Sequence, residues 1–243
     1  MVSGKRADGG GGDVRLSMRL QYGRWFAAVE RPVRRIMVAA LLTLVCAGLP
    51  AAAQTPLKVV AFGDSLTAGL GLGGPQAFPA QLQAALKGRG IDTDIMNAGV
   101  SGDTASGGLD RLDWSIPEGT QAVIVELGAN DALRGTDPKV TRAALEKILA
   151  RLKARSIPVL VCGMLAPPNY GADFAAQFNA IYPDLAKAYG ATLYPFFLEG
   201  VAGQAALNQK DGIHPTAEGV ALIVKNMLPT VEAWLRPIAG QKS

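Results

Sequence analysis

"AVIVEL" (residues 122–127) is a short apolar run rich in β-branched residues, with turn-forming residues on either side. A run of that length and composition reads as a strand covered on both faces, which is the environment of a parallel sheet packed between helices. Outward from it, residues 58–62, 93–97, 159–162 and 192–194 repeat the pattern, each bounded by Gly, Pro or Asn. Helix-like segments lie between them at 78–87, 138–155 and 175–189, and a last one spans about 216–235. In the second of these, Leu145, Ile148, Leu149 and Leu152 recur at helical spacing with charges opposite, and Pro138 suits a first turn. Strands alternating with helices imply parallel pairing, so the expected architecture is a three-layer α/β/α sandwich around a five-stranded parallel sheet. No repeat, low-complexity linker or second domain interrupts residues 54–243. In such sheets functional groups collect on the loops beyond the carboxyl ends of the strands.

The first 53 residues read differently. "RPVRR" (31–35) precedes an apolar stretch at 36–49, and small residues follow at Ala51 and Ala53. That order is the order of a secretory signal peptide, with cleavage expected after Ala53. About 14 apolar residues fall short of the ~20 that a membrane-spanning helix needs. The 30 residues ahead of the basic stretch are unusual for such a leader, and Met18 is an alternative start. The expected organisation is therefore an extension with signal peptide at 1–53, a mature domain at 54–243, and a periplasmic or secreted location. Lipidation of Cys46 is disfavoured because Val45 stands where such sites carry a small residue. With Cys162 the one cysteine left, no internal disulfide is available, and it is expected to pack as a small apolar residue.

The formal charge of +4 belongs to the leader: residues 54–243 hold 16 basic and 17 acidic side chains, near −1. This balance calls for no nucleic-acid partner.

Four motifs fall on one edge of the expected sheet: "GDSLTAG" after the first strand, "NAGVSGDT" after the second, "ELGANDALRG" after the third and "DGIHP" before the last helix. A serine hydroxyl needs an adjacent base to act as a nucleophile at neutral pH. His214 is the single histidine of the chain, and Asp211 lies three residues before it, where it can hold the ring in one tautomer. Ser65, Asp211 and His214 thus make a chemically complete set. Taken singly, Ser65 reads as a turn or cap residue, His214 as a surface or satisfied core residue, and "DGIHP" as a polar turn; only their joint occurrence favours catalysis. The backbone N–H of Ser65, the N–H of Gly102 and the amide of Asn130 are candidate oxyanion donors. The bland alternatives are a turn glycine at Gly102 and a cap at Asn130 and Asp131. No G-x-S-x-G or G-K-[ST] occurs at these loops, and one histidine with one mature cysteine argues against a zinc site. Asp92 and Asp94 read as solvated surface.

"FGDSLTAG", the Gly102 loop, "GAND" and "DGIHP" resemble, in order, the four sequence blocks of the SGNH/GDSL hydrolases, over residues 57–236. Further stretches, among them "PPNYG", "IYPDLAK" and "PFFLEGV", are similar to the bacterial thioesterase I/protease I/lysophospholipase subgroup, also described as arylesterases. The resemblance implies a flavodoxin-like fold and a hydrolase of acyl esters and thioesters without metal or other cofactor. It carries the nucleophile to Ser65, the Asp-His pair to Asp211 and His214, and the oxyanion donors to Ser65, Gly102 and Asn130. Ala129 departs from the subgroup, which often has glycine there. Leu70, Leu72, Leu133 and residues 165–168 are expected to line an acyl groove. The expected partner is a small acyl ester or thioester, with transient contact to lipid substrate, and the expected state is monomeric. Two rival readings stand beside this one: a carbohydrate or peptidoglycan O-acetylesterase, and a non-catalytic exported binding protein.

Overall fold

The computed structural model describes residues 1–4 and 55–240. The expected leader, its cleavage after Ala53, the domain boundary there and Cys46 lie outside the described residues. Five strands form one parallel sheet: β1 (Leu57–Gly63), β2 (Thr93–Gly99), β3 (Ala122–Glu126), β4 (Val159–Cys162) and β5 (Thr192–Tyr194). They stand side by side in the order β2-β1-β3-β4-β5. Val59 of β1 pairs with Ile95 of β2 on one side and with Ala122 of β3 on the other.

Eight α-helices complete the described residues: α1 (Ser65–Ala68), α2 (Phe78–Lys87), α3 (Ala105–Ser115), α4 (Ala129–Leu133), α5 (Pro138–Ala154), α6 (Ala172–Asn179), α7 (Ile181–Tyr189) and α8 (Ala217–Gly240). α2 packs with α8 on one face of the sheet, and α3, α5 and α7 pack in series on the other. All five residues of β3 are buried, as a strand between two helical layers requires. Phe62, Ile124 and Leu160 from neighbouring strands meet Leu82, Leu149 and Met227 from the helices in a single continuous core. The expected α/β/α sandwich is the observed one. Cys162 is fully buried, and Asp92 and Asp94 are exposed.

Three elements differ from the sequence expectation, the first two for local reasons. α3 was not expected, because Gly107 and Gly108 are poor helix formers. Thr104 starts it by accepting the Gly107 N–H at 3.1 Å, and a Cβ at residue 108 would come within 2.4 Å of Leu127 Cδ1. Close approach of this helix to the core therefore outweighs its intrinsic propensity. The expected helix 175–189 is two helices meeting at Ala180. Pro183 has no N–H to offer the preceding turn, so it sits in the first turn of a new helix. The last helix runs on to Gly240, with Pro229 and Pro237 inside it.

The strand order reverses direction between β1 and β3. That switch point opens a crevice at their carboxyl ends, and the loops after both strands border it.

Candidate active site

Ser65 is the first residue of α1, directly beyond the end of β1. Asp64 caps this short helix by accepting the Leu66 N–H at 2.9 Å, which turns the chain sharply and leaves Ser65 only 7% exposed. His214 arrives from the far end of the chain. Its loop closes on itself through the Gln209 N–H to the His214 carbonyl at 2.7 Å and an antiparallel bridge between Asn208 and Pro215. The Gln209 amide then donates to the Leu70 carbonyl at 2.7 Å, tying that loop to the segment after α1. The outcome is a linear relay: Ser65 Oγ lies 2.9 Å from His214 Nε2, and His214 Nδ1 lies 2.6 Å from Asp211 Oδ2.

A carboxylate only accepts, so the proton between His214 and Asp211 belongs on Nδ1, and the lone pair of Nε2 faces the serine hydroxyl. The other oxygen of Asp211 accepts the N–H groups of Ile213 and His214 at 2.9 and 3.0 Å. The bond to the His214 ring, with these two backbone donors, holds the Asp211 carboxyl down to about 2. It is therefore an anion at neutral pH.

Gly102 sits beyond β2 with φ of +82°, a left-handed conformation that side chains rarely adopt. Its carbonyl accepts from Arg134 Nη2 at 3.0 Å, which orients the peptide plane of that loop. The Asn130 amide nitrogen donates twice, to the Asp103 carbonyl at 2.9 Å and to Asp64 Oδ2 at 3.2 Å. Asp131, beside it, caps α3 through the Ala105 N–H at 2.9 Å and accepts from Thr141 Oγ1 at 3.0 Å. The neighbours at 130 and 131 thus divide: Asn130 faces the crevice, and Asp131 braces two helices.

Beneath Ser65 lies a carboxyl pair that sequence reasoning missed. Asp64 and Glu126 are both fully buried. Burial raises the Asp64 carboxyl to about 6, and burial together with the Asp64 charge raises Glu126 well above the usual carboxylate range. Glu126 Oε2 accepts from Thr67 Oγ1 at 2.7 Å, so the end of β3 grips the helix that carries Ser65. The available signal was Glu126 itself, a charged residue inside a strand otherwise apolar.

A groove of about 430 Å³ opens over Ser65 and His214, walled largely by apolar side chains such as Leu133, Met164, Leu165, Pro167 and Ile213. Leu133 and residues 165–168 line it as expected, with Ala129 at its inner wall. Leu70 and Leu72 do not: Leu70 is exposed outside the groove, and Leu72 packs against the core. Their loop is held instead to the His214 turn by the Gln209 amide.

Residues 61–222 match the GDSL-like lipase/acylhydrolase family. The chain belongs to that family. This SGNH hydrolase is 39% identical over 204 residues to the esterase TesA of Pseudomonas aeruginosa, an alignment spanning 84% of this chain and all of the relative. It is also 39% identical over 183 residues to "Thioesterase 1/protease 1/lysophospholipase L1" of Escherichia coli strain K12, covering 75% of this chain and 86% of that one. Among solved structures it is similar to the esterase AlinE4 of the SGNH-hydrolase family, at 47% identity and a TM-score of 0.63, over 74% of this chain and 96% of that one. The protein is accordingly a hydrolase that acts on ester bonds.

Proposed function

We propose that this SGNH hydrolase cleaves acyl esters and thioesters through an acyl-enzyme on Ser65, with His214 as general base and acid and Asp211 as its orienting anion. The observation that carries the proposal is the unbroken relay from Ser65 Oγ to His214 to Asp211 at the floor of an apolar groove. Ser65 Oγ attacks the acyl carbonyl as its proton passes to His214 Nε2. The tetrahedral oxyanion receives the N–H of Ser65, the N–H of Gly102 and the Asn130 amide. Of the two bonds Asn130 makes at rest, the longer one, to Asp64, is the one exchanged for the oxyanion. Collapse expels the alcohol or thiol, which takes the proton from His214. Water then attacks the acyl-enzyme, gives its proton to His214 and releases the acid, and the proton returns to Ser65.

The apolar walls favour acyl chains longer than acetyl, which sets this reading above an O-acetylesterase. The leader-like pattern of residues 31–53 supports export to the periplasm or beyond. The exposed side chains of Leu133, Leu165 and Ile213 at the groove mouth support transient contact with lipid substrates by a monomer.

Incubation with a fluorophosphonate probe is expected to label Ser65 in the folded protein, and p-nitrophenyl acyl esters are expected to be hydrolysed with kcat reduced at least ~10⁴-fold in S65A. Wild-type turnover by S65A would remove the nucleophile assignment. Failure of the folded wild type to label would favour a binding protein, and acetyl esters far outpacing octanoyl esters would favour the O-acetylesterase.

A further inference from the structure

Arg111, on α3, lies outside the groove, behind the corner where the strand carrying the nucleophile meets the Gly102 loop, and no step above uses it. Its guanidinium donates four hydrogen bonds, one to Ser115 on its own helix and three to residues outside that helix. Nε donates to Asp103 Oδ2 at 2.7 Å, Nη1 to the Ala98 carbonyl at 2.9 Å and to Ser115 Oγ at 3.0 Å, and Nη2 to the Gly63 carbonyl at 2.8 Å. The plane also sits 4.3 Å from the centre of the Phe62 ring. The Arg111 and Asp103 side chains are 13% and 12% exposed. A largely buried ion pair contributes little net stability over an apolar pair of the same shape, so its contribution here is geometric.

Two of these partners, Gly63 and Asp103, lead directly to the proposed oxyanion corner. Gly63 leads through Asp64 into Ser65, Asp103 follows Gly102, and the Asp103 carbonyl is itself the 2.9 Å acceptor of the Asn130 amide. One planar fork therefore fixes the relative placement of all three proposed donors. We infer that Arg111 is a positioning residue for ester hydrolysis, setting the oxyanion corner from behind through Gly63 and Asp103. The inference rests on the reading of Ser65, Gly102 and Asn130 given above. Lysine keeps the charge but cannot reproduce the fork, because its ammonium is a point donor on a flexible stem.

The test compares wild type, R111K, D103N and S65A with p-nitrophenyl butyrate. Turnover is expressed per active site titrated, and the ³¹P resonance of the serine fluorophosphonate adduct is recorded. In R111K, kcat per titrated site is expected to fall about 100-fold with KM within about 3-fold of wild type. The ³¹P resonance is expected to shift, because the phosphoryl oxygen occupies the oxyanion corner. D103N is expected to move both readouts the same way by a smaller factor, about 10-fold in kcat. A merely structural role would lower the number of titratable sites while leaving rate per site and ³¹P resonance unmoved, and that result overturns the inference. If R111K does not fold, D103N decides by the same two readouts. An active S65A would sink the nucleophile assignment, whereas an inert S65A beside a fully active R111K sinks only the role of Arg111.

Discussion

At the scale of single residues, the environment of Ser65 is defined by carboxyls doing different work. Asp211, half exposed and held by the His214 ring and two backbone N–H groups, stays ionised down to about 2. Asp64, buried directly after Gly63 at the end of β1, is pushed up to about 6. The sign of the stability linkage follows from that direction. An unfolded aspartate ionises near 3.9, while the folded protein keeps this one protonated up to about 6. Between those values the folded state binds more protons, so the Asp64 contribution is fully present below the unfolded value and is lost as pH rises through about 6. D64N removes this ionisation. Its stability relative to wild type is expected to improve by about 2 kcal/mol between pH 4 and pH 7.5, read from urea denaturation at both pH values. An identical difference at the two values would contradict the raised Asp64 carboxyl.

At the scale of elements, α3 and the loop before it are the least predictable part of the fold and among the most consequential for the site. Two glycines hide the helix from propensity, and its start is made by Thr104 and by Asp131 reaching over from α4. T104A is expected to cost about 1 kcal/mol, the usual value of a lost N-cap, measured by thermal or denaturant unfolding. Because Thr104 follows Asp103, the same variant is expected to weaken turnover more than substrate binding. The break between α6 and α7 has the opposite character: a periodic apolar pattern reads as one helix, and only the missing N–H of Pro183 divides it. The β strands were the easiest to read, since runs such as 122–127 can be buried on both faces in very few ways.

At the scale of the whole molecule, the groove is a product of loops that share no sequence neighbourhood. Its walls come from α4, from the segment after β4 and from the turn that bears His214. A side chain that fills the inner wall is therefore expected to change acyl preference without touching the relay. In A129F, kcat/KM for octanoyl esters is expected to fall at least ~10-fold while acetyl esters stay within ~3-fold of wild type, measured with a p-nitrophenyl ester series. Equal losses for both chain lengths would assign Ala129 to the oxyanion loop rather than to the acyl wall.

What the sequence determined by itself rests on local pattern and on scarcity. Continuous apolar runs alternating with segments of period 3.6 dictate an α/β/α sandwich, and a chain with one histidine leaves a single base to pair with Ser65, so the proposed relay was legible before any coordinate. Tertiary structure alone decided what depends on contacts between distant residues. It put Glu126 under Thr67, engaged both Asn130 N–H groups, aimed Arg111 at Gly63, and left Leu70 and Leu72 outside the groove that Leu133 and Leu165 line. Periodicity records which face of an element is buried, but carries no information on which polar atom, tens of residues away, will satisfy a buried donor.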